Sequence, residues 1–204
     1  MGFYSEVLFP WGMNLTMSGE EFQKQRFAVL QSVDGKILEI GFGSGLNLPH
    51  YPHSVKQLVT VDPNPGMGRY TARQIERSDI DVNRQVLSSE SLPMQDESFD
   101  TVVSTWTLCS IENIEKALDE VKRVLKPGGC FIFLEHGLSP DKKVSRWQHR
   151  LNGIQKLVGD GCHLNRDMRQ LISDTGFSEL KVENFYFPKV PRFMGYMYRG
   201  IAKK

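Results

Sequence analysis

The chain has 204 residues, 40% of them hydrophobic, enough for one domain of ordinary size with a sizeable core. Its 25 Lys and Arg face 24 Asp and Glu, so the net charge of +1 supplies no overall field that would gather nucleic acid or an anionic membrane, and any partner must be recognised locally. Cys109, Cys130 and Cys162 are widely spaced, with no CxxC pair and no zinc pattern, and read as reduced thiols. With no basic leader, no apolar run of spanning length, and Glu6 where a myristoylation signal wants Ser or Thr, the expected location is cytoplasmic.

The first apolar stretch is "FYSEVLFPWGMNL", in which Phe3, Tyr4, Leu8, Phe9 and Trp11 could cover a ligand or make a weak contact with a membrane surface; packing onto the domain is the plainer expectation. In "SGEE", Ser18 and Glu21 predict a capping box that opens a helix carrying Phe22, Val29 and Val33, so residues 1–33 read as an N-terminal cover and helix. Strands are predicted at "KILEIG", "QLVTVD", "VNRQVL", "FDTVVSTW" and "CFIFLEH", several nearly continuous in apolar residues, as strands buried on both faces must be. Between the last two, Ile114, Ala117, Leu118, Val121, Val124 and Leu125 recur at helical spacing until Lys126-Pro127-Gly128-Gly129 stops the helix. Residues 139–165 hold no strand and read as a cover on the substrate side. A helix near Arg166 to Thr175 precedes "ELKVENFYFP" and "RFMGYMYRGIAKK", which should pair as an antiparallel hairpin. Nothing marks a linker or repeat, so residues 1–204 are expected to form a single α/β domain. Its architecture is a Rossmann-like, doubly wound sheet of about seven strands, mostly parallel, ending in that hairpin.

Ligands of open α/β sheets bind beyond the carboxyl ends of the strands, where "EIGFGSG" places Gly41, Gly43 and Gly45. A turn without side chains lets a ligand approach backbone N–H groups at the start of the next helix. Asp62 ends the second strand just before Pro63, 17 residues after Gly45, where a carboxylate can accept both hydroxyls of a ribose. A dinucleotide turn needs GxGxxG, and Leu46 stands where its last glycine would be. The spacing therefore suits a nucleoside that carries an amino-acid moiety rather than a pyrophosphate, of which S-adenosylmethionine is the common one. A nucleotide-dependent oxidoreductase and a non-catalytic binding protein on the same fold are the readings of other classes.

Through "LEIGFGSG", "VDPNP", "SSESLP", "FDTVVSTWTLCSIEN", "EVKRVLKPGG" and "FIFLEH" the chain resembles the class I S-adenosylmethionine-dependent methyltransferases, with a type 11 methyltransferase domain. The resemblance implies that Glu39, Gly41, Gly43 and Gly45 surround the methionine part, that Asp62 with Pro63 holds the ribose, and that Thr105 lies near the sulfonium. Many relatives carry Asp at the position of Ser88, so the adenine contact is shared among Ser88, Ser89 and Glu90. "DPNP", "TLCSIEN", "EH" and "GDGCHLNR" resemble more closely the thiol S-methyltransferase branch of the methyltransferase-like proteins. That branch implies a small thiol or sulfide as acceptor and S-adenosylhomocysteine as product; a phospholipid head group, a quinone precursor and an amine are the alternative acceptors. The family begins with a membrane-associated apolar segment for which this sequence shows no equivalent of sufficient length.

A sulfonium is already an activated methyl donor, so the protein need only align the nucleophile and, where it is protonated, take its proton. His136, after Glu135 at the end of the fifth predicted strand, is the first candidate base, and Asp160 and His163 in "GDGCHLNR" are the others. Cys109 and Cys162 read as small pocket-lining residues, since methyl transfer requires no covalent enzyme intermediate. Trp106 and Trp147 could enclose an apolar acceptor. No metal is expected, and the oligomeric state is left open.

Overall fold

In a computed structural model that describes residues 2–204, seven strands form one sheet in the order β3-β2-β1-β4-β5-β7-β6. The strands are β1 (Ile37–Ile40), β2 (Gln57–Val61), β3 (Asp81–Gln85), β4 (Phe99–Thr105), β5 (Leu125–His136), β6 (Glu179–Tyr186) and β7 (Tyr196–Lys203). β1 to β5 pair in parallel, while β7 runs antiparallel between β5 and β6. The strand order reverses beside β1, so the carboxyl ends of β1 and β4 flank the crevice where such sheets bind ligands.

Successive residues of each central strand feed opposite faces. Leu38, Ile40, Val102, Phe131 and Phe133 join one cluster, with Leu118 and Val121 of α4 (Ile114–Val124) and Met168 and Ile172 of α6 (Met168–Asp174). Ile37, Val103, Ile132 and Leu134 join the other, with Val29 and Leu30 of α2 (Glu20–Leu30). This alternation is the doubly wound arrangement, and it explains why these strands present apolar side chains to both faces.

Three local expectations are corrected. Gly19, not Ser18, occupies the N-cap of α2 and no side chain caps it; the Ser18 hydroxyl instead donates to the Leu15 carbonyl, so Ser18 belongs to the end of α1 (Phe9–Met17) and the box with Glu21 does not form. The helix α4 stops at Val124, one residue short of the predicted Leu125, and Leu125 to Gly129 are already part of β5, because Leu125 pairs with Phe99 and Lys204 bonds with Gly128 and Gly129. The N-terminal segment is packed only in part: Phe9 faces inward, whereas Phe3, Leu8, Trp11 and Leu15 are exposed. Among the described residues no helix is long and apolar enough to cross a membrane.

Candidate active site

A cavity of about 470 Å³ opens at the carboxyl ends of β1, β2, β4 and β5. Every residue assigned to the cofactor in the sequence lies at or beside it. Glu39, Gly41, Gly43, Asp62, Pro63, Ser88, Ser89, Glu90 and Thr105 line the cavity, while Gly45 closes the turn behind, its N–H on the Phe42 carbonyl. Gly41, Gly43 and Gly45 all have positive φ, at 70°, 55° and 79°. At Gly41 a Cβ would lie 1.9 Å from the Thr107 hydroxyl, whereas at Gly43 it would meet nothing nearer than 3.9 Å. Gly41 is therefore needed by the fold, and Gly43 leaves a backbone surface open to a ligand.

Asp62 is held by the turn it faces. One carboxylate oxygen accepts the Gly43 N–H at 2.7 Å and the other the Asn64 N–H at 2.8 Å. Burial raises its pKa, and those two N–H groups oppose the rise. Each oxygen keeps lone-pair capacity toward the cavity, the requirement for accepting a pair of hydroxyls.

Glu39 sits in a polar network the sequence did not announce. Its oxygens accept from Asn47 Nδ2 at 2.8 Å and from the Tyr51 hydroxyl at 2.7 Å. Burial pushes its pKa up to about 7 despite those bonds and the nearby Arg26. Arg26, from α2, donates to Asn47 Oδ1 at 2.9 Å and to Thr105 Oγ1 at 3.3 Å, and its guanidinium lies 4.7 Å from the centre of the Trp106 ring. Thr105 is thus fixed from two sides, since Asn47 also donates to it at 3.0 Å.

The other end of the cavity is built from the ends of β4 and β5. Trp106 follows β4 with φ at 51°, a left-handed conformation unusual for a large residue. Its ring packs against Phe22 and Phe187 and forms an apolar wall. Buried Glu135 accepts from the Ser104 hydroxyl and the Thr107 N–H, which holds the turn in place, and its second oxygen has no partner. His136 Nε2 lies 2.9 Å from Cys162 Sγ, and Cys162 Sγ lies 3.6 Å from Cys109 Sγ. The Cys109 contact and burial hold Cys162 firmly in its protonated form. The other ring nitrogen of His136 is buried without a partner.

Of the remaining sequence candidates, Asp160 lines the cavity and accepts the Ser5 hydroxyl at 2.8 Å, with φ at 48°. His163 does not line it: its Nδ1 faces the Cys109 carbonyl at 3.1 Å, a link that ties the loop to the turn after β4. Trp147 is 55% exposed on α5 (Lys142–Val158), so the aromatic wall is Trp106 alone of the pair. From residues 139–165 only the segment from Gln155 onward reaches the cavity. The opposite rim is a strap: Ser5 bonds Asn64 through its carbonyl and Asp160 through its hydroxyl, the Tyr4 hydroxyl donates to the Val158 carbonyl, and Phe9 and Met13 line the space beneath.

The volume lies in the range of sites for small molecules. The donor set, two buried carboxylates on either side of an open glycine turn, fits a nucleoside joined to an amino acid. A family model described as a methyltransferase domain matches residues 38–133. Thiol S-methyltransferase TMT1B of Rattus norvegicus is 35% identical over 193 residues, which cover 87% of this chain and 78% of that protein. Thiol S-methyltransferase TMT1A of Homo sapiens is 34% identical, over 81% of this chain and 71% of that protein. In structure, a SAM-dependent methyltransferase from Thermotoga maritima, described as a possible histamine N-methyltransferase, superposes with a TM-score of 0.69 at 20% identity, covering 98% of each chain. Phospholethanolamine N-methyltransferase 2 of Haemonchus contortus, solved with S-adenosylhomocysteine, superposes at 0.74 and 16% identity, covering 96% of this chain and 57% of that one.

Proposed function

We infer, from the premise that this chain belongs to the S-adenosylmethionine-dependent methyltransferases, that its acceptor is a small thiol or sulfide. Methyl transfer from S-adenosylmethionine is the activity of the family. The sulfur acceptor is the finer reading, and the observation that carries it is the similarity, along most of both chains, to relatives named thiol S-methyltransferases. The apolar wall of Phe22, Trp106 and Phe187 beside the acceptor end agrees with it, since it suits a small neutral molecule.

In this reading Glu39 receives the amino group of the methionine part, the Gly41 to Gly45 turn lies along that part, Asp62 takes the ribose hydroxyls and Ser88 to Glu90 border the adenine. Thr105, fixed by Arg26 and Asn47, faces the reacting end. When bound, S-adenosylmethionine supplies a methyl group on a positively charged sulfur; its transfer makes a carbon–sulfur bond to the acceptor, returns the broken bond's electron pair to the donor and leaves S-adenosylhomocysteine. The protein aligns the acceptor behind that methyl and removes one proton. A free thiol is a few per cent ionised near neutral pH, so little basic assistance is needed. His136 and Asp160 are the titratable groups that could take the proton at this end.

The exposed face of Phe3, Leu8, Trp11 and Leu15 belongs to the same reading as a weak lipid-surface contact. Sedimentation with phosphatidylcholine vesicles should bring down a small fraction of the protein, and less of Trp11→Ser.

Labelled S-adenosylmethionine offered with small alkyl thiols, hydrogen sulfide, ethanolamine phospholipids, quinols and amines tests the acceptor. Methylated thiols are the expected product; labelling of an oxygen, nitrogen or carbon acceptor with none of thiols overturns the sulfur reading and leaves the family assignment standing.

A further inference from the structure

We propose that Cys109, His136 and Cys162 form a Zn²⁺ site whose fourth position opens into the cavity and holds the acceptor thiol as a thiolate. The proposal deepens the thiol reading and rests on it for the second half only.

The three side chains come from separate places in the fold: the turn after β4, the last residue of β5 and the loop after α5. They have no motif spacing in sequence, yet their ligand atoms all lie within 4.8 Å of one another. With bonds of about 2.3 Å to sulfur and about 2.0 Å to nitrogen, a tetrahedral Zn²⁺ separates two sulfurs by about 3.8 Å and a sulfur from a nitrogen by about 3.5 Å. The observed sulfur–sulfur distance is 3.6 Å, and His136 Nε2 at 2.9 Å from Cys162 would need to draw back by roughly half an ångström. Two thiolates, one imidazole and the cation sum to zero charge, a combination that burial tolerates.

All three residues line the cavity, so the open side of the cluster faces the place where an acceptor must sit. Cys₂His with one free position is a donor set of catalytic rather than structural zinc. Within the fold, His136 Nε2 meets only a thiol. A metal bond through Nε2 would replace that weak contact.

The arrangement alters the proton accounting. Cys109 and Cys162 each lose a proton when the metal binds. An acceptor R–SH that takes the fourth position loses its own to water at the cavity mouth. The bound sulfur then forms its bond to the methyl carbon as the methyl–sulfonium bond breaks, and the neutral thioether, a weaker ligand, leaves. Arg166, whose guanidinium donates to the Leu108 and Ile111 carbonyls on the turn that carries Cys109, offsets the charge that a third thiolate adds.

Cobalt(II) is the probe, titrated into the full chain after chelation. The wild type should bind one equivalent with a thiolate-to-cobalt charge-transfer band in the near ultraviolet. Cys109→Ser and Cys162→Ser should each lose affinity by more than about tenfold, a loss that changes in the groups supporting a metal ligand already produce. Cys130→Ser, in β5 and away from the cavity, should keep the band, and circular dichroism shows that each variant is folded. No band in the wild type, or a band that survives the Cys109→Ser/Cys162→Ser double change in folded protein, overturns the metal site. Thiol turnover that persists at full rate in chelated protein overturns the thiolate role, while the acceptor reading survives. Cobalt binding by a protein that methylates no thiol leaves the metal site in place and removes the acceptor reading.

Discussion

The two ends of the cavity are satisfied to different degrees. Toward β1 and β2 both oxygens of Glu39 and both of Asp62 accept hydrogen bonds from the protein, and Thr105 is tied to Arg26 and Asn47. Toward β5, one nitrogen of cavity-lining His136 and one oxygen of Glu135 behind it are buried without partners, against Arg26 Nε at the first end. Polar groups shut away from water without a bond cost about 1–3 kcal/mol each, so the carboxylates are preorganised at one end while a carboxylate and an imidazole hold unmet bonding capacity at the other. The first is suited to a ligand of fixed shape, the second to one that completes it.

The largest effect should come from the glycine turn. Gly41→Ala places a methyl against the Thr107 hydroxyl at φ 70° and should lower stability by about 2–4 kcal/mol, visible in a thermal melt. Gly43→Ala meets open space, so about 1 kcal/mol of strain is expected together with weakened binding of S-adenosylhomocysteine by calorimetry. Similar melting temperatures for the two variants would break the contrast between a glycine of the fold and a glycine of the site.

Next in size is Asp62→Ala, expected to weaken S-adenosylhomocysteine by about 1–3 kcal/mol while the acceptor's KM changes little. An unchanged affinity in folded protein removes Asp62 from the site. The pH dependence sharpens the same end. An unfolded Glu39 loses its proton near pH 4.5, and the folded one keeps it to about 7. Within that window the native state binds more protons, so this group's contribution to stability is present below the window and declines as pH rises through it in ligand-free protein. Binding of the ligand's amino group selects the ionised carboxylate, so S-adenosylhomocysteine should bind more tightly as pH rises toward 7, with proton release that makes the binding heat depend on the buffer. Tyr51→Phe should move this transition upward; heats identical in all buffers at pH 6 would show that Glu39 is ionised already.

The smallest effect is expected at the strap that spans both ends. Ser5→Ala removes one hydrogen bond to Asp160, worth about 0.5–1 kcal/mol, and should speed S-adenosylhomocysteine dissociation about two- to fivefold in stopped flow. No change in that rate would mean that the strap covers the cavity without latching it.

How much of this was readable in the sequence follows from how each feature is encoded. The sheet was readable because strands buried on both faces must be runs of branched apolar residues, and the glycine turn because three glycines together answer to a backbone requirement. Arg26, Asn47 and Tyr51 were not, since each is a lone polar residue in a helix or loop, and only the chain's return brings them to Glu39 and Thr105. The place of His163 was hidden because adjacency to Cys162 in sequence does not fix direction; its Nδ1 faces the Cys109 carbonyl. The proximity of Cys109, His136 and Cys162 was equally hidden, as their contact is created by the parallel order of β4 and β5 and the fold-back of the loop after α5. The capping box failed for a local reason, because Ser18 was recruited to end α1 rather than to begin α2.

The strap also bears on tempo. Its attachments lie at Asn64 after β2, at the Val158 carbonyl that ends α5 and at Asp160 just beyond it, so a spent nucleoside that leaves past the strap waits for them to part. Residence time, not the methyl-transfer barrier, then sets the ceiling on turnover, in which case kcat falls with solvent viscosity and shows little isotope effect from a deuterated methyl group.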